Sequence, residues 1–230
     1  MKDIYIIGSK GIPSNYGGFE TFVEKLTTLT TNKNFRYHVS CMSDNYDITS
    51  YKGVECFNVP VPKLGAIGRI LHVSNSLKLV YKSIKKDHIK SSTVLILGCR
   101  IGPLMGYHYR KLKKLNTKVI VNPDGLEWKR AKWNFVEKRF IRFCEKCLIK
   151  NSDLVVCDSE EIKRIMIECF KVSESKATYI AYGADMVEGD SEQEIDKLNS
   201  WYKSHDIIKG DYYLVVGRFV PENNYELIYF

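Results

Sequence analysis

The sequence predicts an α/β protein with a doubly wound, mostly parallel sheet, and three observations carry that expectation. Short Val- and Ile-rich runs recur along most of the chain, and nearly every one is separated from the next by a stretch with helical spacing of apolar residues. The runs are nearly continuous rather than alternating, as expected of strands covered by helices on both faces. The first run leads through a glycine-bearing loop directly into a helical pattern, the usual entrance to such a sheet.

The elements follow in order. Residues 4–7 read as the first strand, and residues 19–30 as the first helix, because positions 19, 22, 23 and 26 share one apolar face. Strands over 37–42 and 54–59 precede a helix over 70–86. A strand over 94–97 pairs with a helix over 103–115, a strand over 119–122 with a helix over 133–150, and a strand over 154–157 with a helix over 160–170. A strand over 177–181, a helix over 192–204 and a strand over 213–216 complete the reading.

Composition narrows the function. The chain has 230 residues, 44% hydrophobic and 27% charged, so it is neither disordered nor a repeat array. Its longest apolar runs fall far short of the ~20 residues of a membrane span. The opening run is too short for a signal peptide, which implies a cytoplasmic chain. Seven cysteines, an odd and scattered number, make a poor disulfide framework. The lone C-x-x-C pair, Cys144 and Cys147, lies in a helical pattern without a ligating histidine, so buried free thiols are expected there and no metal. The five histidines show no nucleophilic or metal-ligand pattern.

The net charge of +8 is unevenly spread: residues 60–150 hold 21 basic against 5 acidic side chains, whereas residues 151–230 hold 8 against 16. A basic block flanked by neutral and acidic ones points to an anionic partner. No zinc-finger, homeodomain or RRM signature is present, which argues against nucleic acid and leaves a phosphorylated substrate or an anionic membrane surface.

The first loop, Gly8-Ser-Lys-Gly-Ile-Pro-Ser-Asn-Tyr-Gly-Gly18, ends at a helix N-terminus, where glycines and the helix dipole suit a phosphate. Gly17 and Gly18 equally suit a plain tight turn. G-x-G-x-x-G and G-K-[ST] are both absent, so neither dinucleotide nor P-loop binding is indicated. At the other end of the sheet pattern, Asp124 follows a strand, at the carboxyl edge where ligands of such sheets bind. It is placed to orient or deprotonate a hydroxyl, while Asn-Pro-Asp-Gly is also a turn signature. Glu127 follows, with Lys129, Arg130 and Lys132, cations suited to a diphosphate or to a solvated surface.

Four segments carry a family resemblance: Gly11-Ile-Pro-Ser-Asn-Tyr-Gly-Gly-Phe-Glu-Thr21, Asp124-Gly-Leu-Glu-Trp-Lys-Arg-Ala-Lys-Trp133, Ala181-Tyr-Gly-Ala-Asp185 and Gly217-Arg-Phe-Val-Pro-Glu-Asn-Asn224. Together, in this order, they resemble a bacterial family of rhamnosyltransferase-like glycosyltransferases of the retaining family 4 type, with a DUF1972-type N-terminal domain. The resemblance implies the N-terminal Rossmann-like half of a GT-B fold. It divides the chain into an acceptor-binding domain over 1–185, a linker and connecting helix over 186–211, and the start of a truncated nucleotide-sugar-binding domain over 212–230.

It further implies a glycosyltransferase of cell-surface or capsular polysaccharide assembly. Such an enzyme transfers a sugar, as from dTDP-rhamnose, to a lipid-diphosphate-linked saccharide at the inner face of the plasma membrane, without cofactor or metal. Asp124 would then be catalytic. Gly17, Gly18, Arg218 and Glu222 would face the donor and its phosphates, with Asn223 standing where the wider group has lysine. Tyr16, Glu127, Lys129, Arg130 and Lys132 would face the acceptor. A non-catalytic domain that binds an anionic lipid or saccharide is the alternative, and a nicotinamide-dependent oxidoreductase a weaker third. With so little of the donor domain, nucleotide-sugar affinity should be very weak, and residues 212–230 poorly packed.

The predicted helix over 133–150 has apolar residues at 133, 136, 140, 143, 144, 147 and 148, a broad stripe expected to pack on the sheet. Lys138, Arg139, Arg142, Lys146 and Lys150 would then form a basic outer face able to dock electrostatically on an anionic membrane.

Overall fold

The structure is a computed structural model and describes residues 1–185, 192–217 and 219–227. In chain order its strands and helices are β1 (Lys2–Ile7), α1 (Gly18–Thr28), β2 (Phe35–Ser43), β3 (Ile48–Tyr51), β4 (Val54–Pro60), α2 (Gly65–Lys86) and β5 (Ser92–Leu97). There follow α3 (Met105–Lys113), β6 (Thr117–Asn122), α4 (Phe135–Lys150), β7 (Leu154–Cys157), α5 (Glu160–Phe170), β8 (Ala177–Tyr179) and α6 (Glu192–Ser204). Residues Met1–Tyr182 form one compact unit and Gly183–Phe230 a second.

In the first unit the strands form one sheet in the order β3-β4-β2-β1-β5-β6-β7-β8. Every neighbouring pair is parallel except β3 with β4. The Val/Ile-rich runs sit in the middle because both their faces are covered. Ile6, Val39, Val54 and Leu97 pack with Val23 of α1 on one face, while Ile7, Val59, Ile96, Val121 and Val155 pack with Leu77, Leu112, Leu148 and Met166 of α2–α5 on the other. The fold is the mixed α/β, Rossmann-like one the sequence predicts.

Three expectations need correction. Strand β3 was not foreseen: Ile48, Thr49 and Ser50 are exposed at the sheet edge, so the segment lacks the apolar run of a covered strand. Its turn is legible afterwards, for Lys52 and Gly53 both have positive φ (47° and 81°), as a two-residue hairpin requires. Residues 213–216 do not form a strand; Tyr213 and Val216 stand 96% and 87% exposed, and the described residues of their unit hold no strand to pair with. In that unit Tyr202 of α6 is buried and hydrogen-bonds Tyr212.

The third correction concerns α4. The helix begins at Phe135, two residues later than expected, because Asn134 and Glu137 form a capping box. Its buried residues are Cys144, Glu145, Leu148 and Ile149, while Phe135, Val136, Phe140 and Phe143 are 73%, 73%, 49% and 52% exposed. The buried face is thus rotated by about a third of a turn from the apolar stripe. The close approach of Gly102 to Cys144 fixes that rotation: a Cβ on Gly102 would lie 2.6 Å from the Cys144 sulfur. Among the described residues no helix is long and apolar enough to cross a membrane.

Candidate functional site

Between β1 and β5 the sheet changes winding direction, and ligands of open parallel sheets bind at the carboxyl edge beside such a point. Two loops matter there. The first, residues 8–17, is held by close backbone approach. Gly8 has φ +106°, and a Cβ on it would lie 2.1 Å from the Leu97 carbonyl oxygen; Gly11 sits as tightly against Cys41.

Carboxylates of α1 then close the loop. The Lys10 amide donates to Glu20 at 2.7 Å, and the Ser14 amide donates to Glu24 at 2.7 Å, where the Tyr51 hydroxyl also donates. Those two donors hold the Glu24 carboxyl below the usual carboxylate range. At Gly17 a Cβ would meet a Glu20 oxygen at 2.0 Å, whereas Gly18 faces open space. Beside the loop lies a cavity of about 500 Å³ whose lining includes Lys10, Asn15, Tyr16, Ser43 and Asn58. Tyr16 is exposed, with the Lys10 ammonium 5.9 Å from its ring centre.

The second loop leaves β6. Asn122 ends the strand buried; its amide donates to Asp158 at 2.6 Å, and its carbonyl oxygen accepts the Asp124 amide at 2.9 Å. Asp124 takes a left-handed conformation (φ 71°) and its carboxylate accepts the Gly125 amide, so the turn role and the edge position coexist. Asp124 keeps a solvent-exposed face. Even so, desolvation by the surrounding groups raises its carboxyl pKa, with Glu127 and Asp158 adding to the rise and Arg100 opposing it.

Glu127 gathers the cations. It accepts from Lys132 at 2.7 Å, from Arg130 at 2.9 Å and from the Trp133 indole at 3.1 Å. Burial works to raise its pKa, but the hydrogen bonds from Lys132 and Arg130 win and hold it low. Two of the three cations expected to meet a diphosphate are therefore neutralised locally. Lys129 is exposed, with its ammonium 5.4 Å from the Trp128 ring centre.

Beneath this loop lies a residue the sequence did not single out. Glu145 of α4 is 1% exposed, and among the described residues neither of its oxygens has a hydrogen-bond partner, nor does the buried Trp128 indole N–H. Burial pushes the Glu145 carboxyl up to about 8, with Asp124 adding to the rise and Trp128 and Arg142 moderating it.

Tyr182 bridges α1 and the second loop. Its ring tilts against Phe22 of α1 at 5.2 Å, and burial together with Asp158 and Asp124 raises the pKa of its phenol. Asp124, Glu127, Lys129, Arg130 and Lys132 thus share the second loop, and Tyr16, Gly17 and Gly18 the first. Arg218 and the Glu222 side chain lie outside the described residues. Sequence reasoning missed Asn122, Asp158, Tyr182 and Glu145. The first three were findable, since each stands at or just after the end of a predicted strand, and Tyr182 also lies in the motif at 181–185.

Residues 1–185 match the family described as "Domain of unknown function (DUF1972)". No curated protein matches the chain by sequence. Among solved structures, the chain is similar to trehalose-6-phosphate from E. coli bound with UDP-2-fluoro glucose, with TM-score 0.53 and 11% identity over 88% of this chain and 55% of that one. It is also similar to trehalose-6-phosphate synthase OtsA, with TM-score 0.52 and 10% identity over 88% and 55% of the two chains. A third likeness is to UGT89C1 from Arabidopsis thaliana, with TM-score 0.50 and 13% identity over 88% and 54%. The chain spans a little over half the length of these structures, and what it shares with them is one Rossmann-like half of a GT-B fold.

Proposed function

This chain belongs to the DUF1972 family, and from that premise we propose that it is the acceptor-binding part of a glycosyltransferase. The donor is a nucleotide-sugar, dTDP-rhamnose by the resemblance of the motifs. The acceptor is a saccharide on a lipid diphosphate, met at an anionic membrane surface during polysaccharide assembly. The observation that carries the reading is Asp124 at the carboxyl edge of this sheet, with its pKa raised and with cations and polar groups on both flanking loops.

In this reading Asp124 accepts a hydrogen bond from the acceptor hydroxyl and so orients it. As the hydroxyl oxygen bonds to the anomeric carbon, the bond from that carbon to the diphosphate breaks, and the nucleoside diphosphate leaves with the electron pair. The hydroxyl proton passes to the Asp124 carboxylate, whose raised pKa makes it a better base. Lys129 and the open side of the Glu127 cluster face the acceptor diphosphate; Tyr16 offers an aromatic surface to the sugar. Arg218 and Glu222 are assigned to the donor side on the family motif alone.

A second reading is a non-catalytic holder of an anionic saccharide lipid. It is favoured by the first loop, whose Lys10 and Ser14 amides are bonded to Glu20 and Glu24 rather than free for a donor phosphate. Incubation with dTDP-rhamnose and a lipid-diphosphate saccharide separates the two. With a nucleotide-sugar-binding half supplied alongside this chain, the enzyme reading expects a lengthened lipid product and a loss of about 100-fold or more in Asp124→Asn. Acceptor binding with no transfer even then supports the second reading, and no binding of the acceptor removes both.

A further inference from the structure

The turn of α4 that exposes its phenylalanines also lines a second cavity, beside the Asp124 loop and touching it through Trp128. It has a volume of about 520 Å³ and lies between α4 and the end of α5, lined by Arg139, Arg142, Phe143, Lys146, Phe170 and Lys171. We propose that this cavity binds the multiply charged phosphate headgroup of a membrane lipid, with the exposed apolar side chains of α4 entering the bilayer surface beside it. The proposal rests on the peripheral-membrane part of the functional reading and names the lipid chemistry recognised.

Charge is the first argument. Four cations converge on one concave surface, and among the described residues none of them makes an ion pair. Of the acidic groups nearby, Glu161 and Glu168 are engaged on Arg164 at 2.6 and 2.9 Å and Glu127 on Arg130 and Lys132, while Glu145, which Arg142 faces electrostatically, is buried with its carboxyl pushed up to about 8. Four cations exceed what a singly charged phosphodiester needs. They suit a phosphomonoester or diphosphate, with its extra charge and its three or more terminal oxygens.

Orientation is the second. The Arg142 guanidinium lies near two rings, 4.9 Å from the Trp128 centre and 6.0 Å from the Phe170 centre. Ring contacts hold such a planar group in place while its edge remains able to donate a fork of hydrogen bonds. Lys171 is carried there by a left-handed turn (φ 55°) that ends α5, so its position follows from backbone geometry rather than from a free tail.

The apolar surface alongside is the third. Phe140 and Phe143 stand half exposed, and Phe135 and Val136 more so, one helical turn from the cations. Aromatic and aliphatic side chains beside Lys and Arg on one helix face are the composition of an interfacial helix. A nucleic-acid backbone would use the cations and leave those side chains in water; a bilayer surface uses both.

The full chain is tested by flotation with three vesicle sets: neutral phosphatidylcholine, phosphatidylcholine with phosphatidic acid, and phosphatidylcholine with enough phosphatidylglycerol to give the same surface potential. Binding to phosphatidic acid is expected to exceed matched phosphatidylglycerol by about fivefold, with little on neutral vesicles. Arg139→Gln with Lys146→Gln should lower the phosphatidic acid partition by about tenfold and erase the preference. Phe140→Ser should weaken binding to both anionic sets alike. Lys82→Gln with Lys85→Gln on α2 should preserve the preference.

Equal binding to the two anionic sets overturns the pocket while leaving a membrane role standing; failure to bind any vesicle overturns both. Displacement by millimolar glycerol 3-phosphate with no lipid preference would assign the cavity to a soluble phosphate instead. Tighter binding of an oligonucleotide than of any vesicle would assign the surface to nucleic acid.

Discussion

The two loops at the carboxyl edge of the sheet are built on opposite principles. The first is packed: a Cβ on Gly8, Gly11 or Gly17 would strike backbone, sulfur or the Glu20 carboxylate, and carboxylates from α1 take up the amides of Lys10 and Ser14. The second is charged: Asp124 stands at the edge, Glu127 collects two cations, and Glu145 lies buried and unpaired beneath. Glycine density in a loop therefore reports close packing as readily as ligand binding. Carboxylates held at different pKa values by different surroundings point to chemistry, and the second loop pairs a raised one (Asp124) with a lowered one (Glu127) above the raised, buried Glu145 of α4.

The largest effect should come from the packed loop. Gly8→Ala needs a side chain at φ +106°, 2.1 Å from a backbone oxygen that cannot move away. A loss of more than about 3 kcal/mol is expected, read as a fall in the urea midpoint or as failure to fold. Near-normal stability would show that this loop yields, and the contrast between the loops would disappear.

Glu145→Gln should act in the opposite direction. The folded carboxyl titrates near 8, against about 4.5 when unfolded, so between those values the folded state alone keeps the proton. This group's contribution is therefore most favourable at low pH and declines as pH rises from about 4.5 to about 8. Removing the charge should stabilise the chain at pH 7 by something on the order of 2 kcal/mol and flatten the fall in melting temperature between pH 5 and 8. Parallel pH profiles for the two proteins would mean that Glu145 is solvated or paired.

Glu127→Gln tests the cation cluster. Its folded carboxyl is held below 4.5, so its pairing stabilises at neutral pH and is lost as the group protonates in acid. With the side chain about a quarter exposed, solvent screening limits the cost to about 1 kcal/mol at pH 7. The difference from the parent should shrink as pH falls below 4.5 and vanish once the folded carboxyl is itself protonated. Gly18→Ala should be the mildest: the site is helical, open and without positive φ, so a change within about 0.5 kcal/mol is expected, towards greater stability. If this variant keeps its stability but loses nucleotide-sugar binding, Gly18 is a ligand contact and the packed loop is also a binding loop.

Much of the fold was legible because covered strands need apolar runs: β5, β6 and β7 announce themselves as Val94-Leu-Ile-Leu97, Val119-Ile-Val121 and Leu154-Val-Val156. Strand β3 was not, because an exposed hairpin edge needs no such run. The facing of α4 was also hidden. Hydrophobic spacing turns Phe140 and Phe143 inward, whereas the contact of Cys144 with Gly102, 42 residues earlier, turns Glu145 inward instead. Asp124 could be found from a strand end followed by Pro-Asp-Gly. The closure of the first loop could not, since Glu20 and Glu24 meet amides ten residues away, a spacing no short motif encodes.

The central claim is that the charged loop receives a saccharide on a lipid diphosphate. Amide-shift mapping of the full chain with a short-prenyl, diphosphate-linked saccharide tests it most directly. The account predicts perturbations over residues 122–133, at Tyr16 and at Tyr182, with affinity falling about tenfold or more in Asp124→Asn. Perturbations confined to other surfaces, or unchanged affinity in Asp124→Asn, would contradict it.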